Sequence, residues 1–364
     1  MLIGITFIGG LVALIAGAEL FLKSVDRFGV AWKISPVVMG LTVVAFATGA
    51  PELAISLQAA VENKPDLVLG NIIGSNISNI LLILGIAGLV KPLAITRRII
   101  KIDVPMVLAA SLLLFGLARD GSLSSSDGVL ILIGLVGYSI FTYFQIKKDR
   151  AANKKEKEGT GESENEAKPG IRFYLINCSL LITGLALIVA GSSYMVDAAV
   201  EIALILGVSE LIVGLTIVSI GTSLPEVATS LAAVRKGDSD TAVANVMGSN
   251  LYNILLTLGL TVVIAPGALS VAANAIELDM PFMILVAVVC LPLFWPGKKL
   301  GRFEAFGFLG FYAAYLTYLV FDALDSPFQH QMEELVIWIV APITLTLIAG
   351  KFVLDYMRRK RTPS

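Results

Sequence analysis

Glu52 and Glu226 each lie inside an apolar segment, one residue after a proline, with hydroxyl residues on the same helical face. A charged side chain in hydrocarbon costs roughly 2.5–3.5 kcal/mol even on the lenient insertion scale, so an intramembrane carboxylate is a functional candidate by default. Pro51 supplies no amide for the carbonyl of Ala47, and Pro225 supplies none for Gly221. Each proline should therefore kink its helix and free a backbone oxygen at membrane depth. Thr48 is four residues before Glu52, and Thr222 and Ser223 precede Glu226, so each acid shares a face with hydroxyls. The segment after each acid adds a polar stripe at i, i+4 and i+8: Asn71, Ser75 and Asn79, then Asn245, Ser249 and Asn253. All these groups offer oxygen. Carboxylate, amide, hydroxyl and carbonyl oxygens suit Na⁺ and Ca²⁺, not the imidazole- and thiolate-preferring metals.

The two sets are copies. Gly40–Gly85 slides by 174 positions onto Gly214–Gly259 without a gap, and 22 of the 46 positions are identical. Two ionised glutamates balance one Ca²⁺, two Na⁺ or two protons. An empty site with two buried charges is costly to move through hydrocarbon, and that cost favours exchange over uniport.

These residues need elements that cross a membrane. The chain has 364 residues, is 56% hydrophobic and 15% charged, and has a mean hydropathy of +0.85. Eleven continuous apolar runs predict spans near 2–22, 35–61, 67–90, 103–118, 127–146, 173–195, 208–234, 241–265, 279–296, 303–322 and 334–356. The first run lacks a basic leader, so it is expected to be a retained helix. A net charge of −1 gives no basic surface for nucleic acid. Cys178 and Cys290 lie in apolar runs and are expected to pack, and the one histidine, His330, has no evident partner. Glu19 is expected to reach the interface or pair with Lys23. Asp103 and Asp279, each two residues before a proline, are expected to be helix N-caps.

Charge asymmetry orients the spans. With the N-terminus outside, the inward connections carry Lys23, Arg27, Lys33, Lys91, Arg97, Arg98, Lys101, Arg235, Lys236, Lys298, Lys299 and Arg302, besides the basic residues of 147–172 and the tail. The outward connections carry only Lys64 and Arg119. The polar stretch 147–172 reads as a mobile cytoplasmic linker between two sets of five spans. Because five is odd, the second set inserts upside down. The expected fold is an all-α polytopic membrane protein, with two inverted-topology repeats of five transmembrane helices plus an eleventh C-terminal helix. Its parts are 1–146, the first repeat; 147–172, the linker; 173–325, the inverted repeat; and 326–364, the extra helix and basic tail. The protein is expected in the cell (inner) membrane, multi-pass, with the 147–172 loop and the C-terminus cytoplasmic.

The segments ATGAPEL with GSNISN, and GTSLPEV with GSNLYN, resemble the paired α-repeats of the sodium/calcium exchanger family, in particular its bacterial and archaeal members. The resemblance covers about the first 325 residues. It implies ten core helices, ion binding midway across the bilayer, and alternating access as the first and sixth helices slide. It carries the family's ligands onto Thr48, Glu52, Ser75 and Asn79, and onto Thr222, Ser223, Glu226, Ser249 and Asn253. The carbonyls of Ala45 and Ser219 stand where the family uses backbone oxygens, close to Ala47 and Gly221. Gly49 replaces the usual serine, and Asn253 stands where such exchangers often have aspartate. The implied function is Ca²⁺/Na⁺ exchange. The alternative is a Ca²⁺/H⁺ or Na⁺/H⁺ antiporter with Glu52 and Glu226 as proton carriers. A channel fits less well because inverted repeats are the architecture of alternating access. No nucleophile–base pair or resident metal cluster is evident, so neither enzymatic activity nor a cofactor is expected. The partners are inorganic cations and the lipid bilayer.

Overall fold

The computed structural model describes residues 2–160, 170–207, 219–294 and 299–323. In chain order its helices are α1 (Leu2–Trp32), α2 (Pro36–Met39), α3 (Ala45–Thr48), α4 (Ala50–Val61), α5 (Pro65–Ser78), α6 (Leu84–Val90), α7 (Val104–Leu117), α8 (Ser125–Thr160), α9 (Ile171–Ile205), α10 (Ser219–Thr222), α11 (Leu224–Arg235), α12 (Ser239–Tyr252), α13 (Gly259–Ile264), α14 (Met280–Phe294) and α15 (Arg302–Ala323). Wider π-helical stretches occur at Gly40–Val44, Asn79–Ile83, Ile99–Asp103, Asn253–Leu258 and Ala275–Asp279.

Helices α1 and α9 run about ten residues past the ends expected from hydropathy. The polar residues at the end of α1 sit comfortably in a helix and find partners. Ser24 Oγ donates to the Asn177 carbonyl at 2.6 Å, Arg27 donates to Asn177 Oδ1 at 3.2 Å, and Asp26 pairs with Lys236 at 3.0 Å. Helix α8 likewise continues through Thr160, so the polar stretch starting at 147 begins as helix and not as a loose linker. Its Ala, Lys and Glu content favours that state. The span expected at 208–234 is described only from Ser219 onward. The eleventh span and His330 lie outside the described residues.

Helices α1 and α9 cross at glycines. A Cβ on Gly184 would stand 2.6 Å from the Phe21 nitrogen, and one on Gly191 2.5 Å from the Leu14 nitrogen. From the other side, Gly10 would meet the Gly191 carbonyl and Gly17 the Gly184 carbonyl, both at 2.8 Å. Only a residue without a side chain lets two backbones approach this closely. Gly184→Val is therefore expected to force the pair apart and destabilise the protein by about 1–3 kcal/mol, the usual cost of overpacking. A thermal unfolding scan in detergent checks this, and an unchanged midpoint would show that the crossing tolerates separation.

The spans Pro65–Val90 and Ser239–Ile264 are innermost, with 78% and 72% of their most apolar windows buried, against 17–44% in the other long spans. They are the two that carry the polar stripes. Around them Ile72, Ile73, Ile80, Val243, Met247 and Leu258 form the core. Exposed apolar side chains on the outer helices, among them Ile8, Val12, Ile133, Ile140, Leu175 and Ile182, supply the lipid-facing surface. Cys290 is buried in the packing, whereas Cys178 is exposed on α9.

Two short antiparallel pairs fix the relation of the halves. Strand β1 (Leu93–Ala94) pairs with β4 (Lys299–Leu300), with Leu93 opposite Leu300. Strand β2 (Ser122–Leu123) pairs with β3 (Leu269–Ser270), with Leu123 opposite Leu269. In repeat terms β1 corresponds to β3, and β2 to β4. Each strand thus meets the copy of the other strand of its own repeat, which requires the second repeat to be turned over. A repeat in the same orientation would bring β1 to the side of β3.

Asp103 departs from the capping expectation. It is buried with helical dihedrals (φ −72°, ψ −43°), its side chain makes no capping bond, and Arg98 Nε is 3.7 Å away. The π-helical stretch Ile99–Asp103 runs directly into α7, so the chain is already helical at Asp103. Its copy, Asp279, accepts a hydrogen bond from Tyr315 at 3.2 Å.

Candidate cation site

The backbone around each acid is broken, not bent. Helix α3 ends at Thr48, Gly49 adopts φ −77°, ψ 2°, and α4 begins at Ala50 at 43° to the preceding segment. In the second repeat α10 ends at Thr222, Ser223 adopts φ −88°, ψ 3°, and α11 begins at Leu224. Each proline therefore falls in the first turn of a new helix, where its missing amide costs nothing. Glu52 and Glu226 also fall in first turns, where exposed amides favour a carboxylate. Breaking the chain there also redistributes carbonyls. The Ala45 carbonyl accepts from the Gly49 amide at 3.1 Å, and the Gly221 carbonyl accepts from Ser192 Oγ of α9 at 3.0 Å. The Gly221 oxygen is thus already half used. Ala47 lies just before the break, and Ser219 opens α10.

The two acids meet. Glu52 and Glu226 are each 1% exposed and close enough for their charges to interact. The hydroxyls of Thr48 and Ser249 lie beside the Glu226 carboxylate, and Thr48 also donates to the Val44 carbonyl at 3.1 Å. Ser223 shares a hydrogen bond with Ser78 at 3.1 Å, so the repeats touch here too. Ser75, Asn79, Asn253 and Ser249 are at most 2% exposed, while Thr222 is half-buried. Gly49 faces the second repeat, since a Cβ there would lie 3.2 Å from the Ala45 carbonyl and 3.9 Å from Asn253 Oδ1. Among the described residues, Glu52 Oε1 and Oε2, Glu226 Oε2, Asn79 Oδ1 and Ser249 Oγ are buried without a hydrogen bond. Buried polar atoms are normally satisfied. Five oxygens from four neighbouring residues, drawn from both repeats, are what a dehydrated hard cation replaces its water with.

The polar stripe divides in two. Asn71 donates to the Glu52 carbonyl at 3.1 Å and to Ser56 Oγ at 2.9 Å. Its copy Asn245 donates to Thr229 Oγ1 at 3.1 Å and Ser230 Oγ at 3.0 Å, while Thr229 reaches the Glu226 carbonyl at 3.2 Å. These asparagines hold the acid-bearing turns in place, whereas Ser75, Asn79, Ser249 and Asn253 are buried further along the same two spans. Strict i+4 spacing put all three stripe positions in the same role. It missed the π-helices that open at Asn79 and Asn253. Such bulges recur at functional sites because the extra residue re-aims side chains.

Outside the spans, the only acid on the α4–α5 turn, Glu62, accepts from Lys64 at 2.6 Å. That bond, with a second from Gln58, holds its carboxyl below the usual range. The turn thus carries a closed polar contact and adds no free charge to the cage.

The family described as sodium/calcium exchanger protein matches residues 2–147 and 177–321. The inner membrane protein YrbG of Escherichia coli (strain K12) is 36% identical over 311 residues, covering 81% of this chain and 93% of that protein. The sodium/calcium exchanger MaX1 of Methanosarcina acetivorans is 30% identical over 337 residues, covering 83% and 94%. Among solved structures, the sodium-calcium exchanger NCX_Mj superposes with a TM-score of 0.72 at 28% identity, covering 87% of this chain and 99% of that one. A multi-pass bundle of inverted repeats, matched in sequence and in fold along both halves, is a membrane antiporter of cations, and this chain belongs to the sodium/calcium exchanger family.

Proposed function

We propose that the protein exchanges Ca²⁺ for Na⁺ by alternating access, with Thr48, Glu52, Ser75, Asn79, Thr222, Ser223, Glu226, Ser249 and Asn253, and backbone oxygens near Ala45, Ala47, Ser219 and Gly221, as the ion cage. The observation that carries the reading is the meeting of Glu52 and Glu226 at a buried junction of the two repeats. Two carboxylates balance one Ca²⁺ or two Na⁺. Either load makes the site neutral and able to cross hydrocarbon; the empty site is not. We place the N-terminus outside and the 147–172 stretch and C-terminus in the cytoplasm. The parts are 1–146, 147–172, 173–325 and 326–364, in the inner membrane of the cell.

Sealed vesicles containing the purified protein test this. Na⁺-loaded vesicles diluted into Na⁺-free medium are expected to accumulate radiolabelled Ca²⁺, and to stop when a Na⁺ ionophore collapses the gradient. Vesicles with a pH gradient and no Na⁺ are expected to accumulate none. Uptake driven equally well by protons would replace Na⁺ with H⁺ as the counter-ion and overturn the assignment.

A further inference from the structure

Asn79 can serve a cation only if its amide presents oxygen, because its nitrogen is a donor and repels a cation. Nothing within Asn79 fixes that choice; Asn250 does. Asn250 Nδ2 donates to the Asn76 backbone carbonyl at 3.1 Å, and a carbonyl accepts only, so the Asn250 amide cannot turn round. Its Oδ1 must then face Asn79, and it accepts from Asn79 Nδ2 at 2.9 Å. The consequence is that Asn79 Oδ1 points away from this bond, buried and without a hydrogen bond among the described residues. Asn250, on the opposite repeat, is 1% exposed, so water does not compete for either bond.

The corresponding bond in the other repeat is not made. Asn76, the copy of Asn250, donates to Met283 Sδ at 3.6 Å, and Asn76 Oδ1 and Asn253 Nδ2 both lack partners among the described residues. The two copies of the cage therefore differ in whether their amide is aimed.

We infer that Asn250 is a positioning residue for ion binding: by holding the Asn79 amide in one orientation it makes that side chain an oxygen ligand. The inference rests on the cation-site reading above. Removing such an outer partner typically weakens metal affinity by 10–100-fold.

A double-substitution cycle tests it, reading Ca²⁺ binding to the purified protein by equilibrium dialysis. Asn250→Ala is expected to weaken Ca²⁺ binding at least about tenfold. In an Asn79→Asp background both side-chain atoms at position 79 are oxygens and need no aiming. There Asn250→Ala is expected to leave affinity unchanged or to improve it. Equal losses in both backgrounds would mean that Asn250 merely supports the fold, and would overturn the inference. If Asn250→Ala does not fold, Asn250→Asp decides, since its protonated carboxyl keeps both hydrogen bonds; a folded Asn250→Asp that no longer binds Ca²⁺ also overturns it. Glu52→Gln in the same assay separates the levels. Retained Ca²⁺ binding there sinks the site itself. Loss there, together with equal losses in the cycle, sinks only the role of Asn250.

Discussion

Glu52→Gln and Glu226→Gln are each expected to bring exchange down to background. Glutamine keeps the volume, the first-turn helix position and one oxygen, so the change isolates charge. With one glutamine the cage carries a single negative charge. Ca²⁺ bound there would leave a buried net charge, and removing one member of a buried ion pair costs about 3–5 kcal/mol. That is more than about 100-fold in affinity. Initial rates of Na⁺-driven Ca²⁺ uptake, at matched protein, measure the loss. If either variant kept the wild-type rate, the acid concerned would not be a ligand.

The same variants carry an opposite expectation for stability. In the ion-free protein Glu52 and Glu226 are both buried, near enough for their charges to interact, and three of their four oxygens lack hydrogen bonds among the described residues. Neutralising one removes a like-charge repulsion and part of a desolvation cost. Each Gln variant should therefore melt higher than wild type in chelator without Na⁺. Each should also lose the rise in melting temperature that Ca²⁺ gives wild type, because a ligand stabilises only the state it binds. A structural carboxylate would behave the other way, with Gln lowering the melting point in chelator. The pair of measurements thus distinguishes a site held ready for an ion from an acid that holds the fold.

How much of this was legible beforehand follows from what each signal encodes. Duplication at a fixed offset exposed both acids, both prolines and both GSN segments, and helix parity gave the inversion that the β1–β4 and β2–β3 pairings display. Sequence spacing could not tell a kinked helix from a broken one. Pro51 fits the first turn of a new helix as well as the middle of an old one, and the choice depends on Gly49 leaving helical ψ. Nor could it separate Asn71 from Asn79, since both lie on one α-helical stripe until the backbone widens at Asn79. Asp103 misled because a polar residue before a proline normally marks a start, and here a π-helix runs straight through it. The end of α1 misled because hydropathy registers the charge of Asp26 and Arg27 but not their partners Lys236 and Asn177.

The second large effect concerns Gly49, which differs from its copy Ser223, and Asn253, which lies close to it. Asn253→Asp is expected to raise the preference for Ca²⁺ over Na⁺. The residue is 1% exposed, and its Nδ2 has no hydrogen bond among the described residues. Aspartate would remove that idle donor and add a third carboxylate. A unit of added charge acts twice as strongly on a divalent as on a monovalent ion. If the net gain for Na⁺ is about 1.4 kcal/mol per ion, Ca²⁺ gains about twice that, and the per-ion affinity ratio shifts roughly tenfold. Competition of Na⁺ against radiolabelled Ca²⁺ binding reads the ratio directly. Gly49→Ser should act with it. The φ of −77° at Gly49 suits any residue, and the one tight contact of a new Cβ is the Ala45 carbonyl at 3.2 Å, so the backbone can take the side chain with a small adjustment. That Cβ would lie 3.9 Å from Asn253 Oδ1, within the range where substitutions stop being additive. The double variant is therefore expected to shift the Na⁺ competition curve by an amount different from the sum of the single shifts. Strict additivity, or no shift from Gly49→Ser in either background, would place Gly49 outside the ion path.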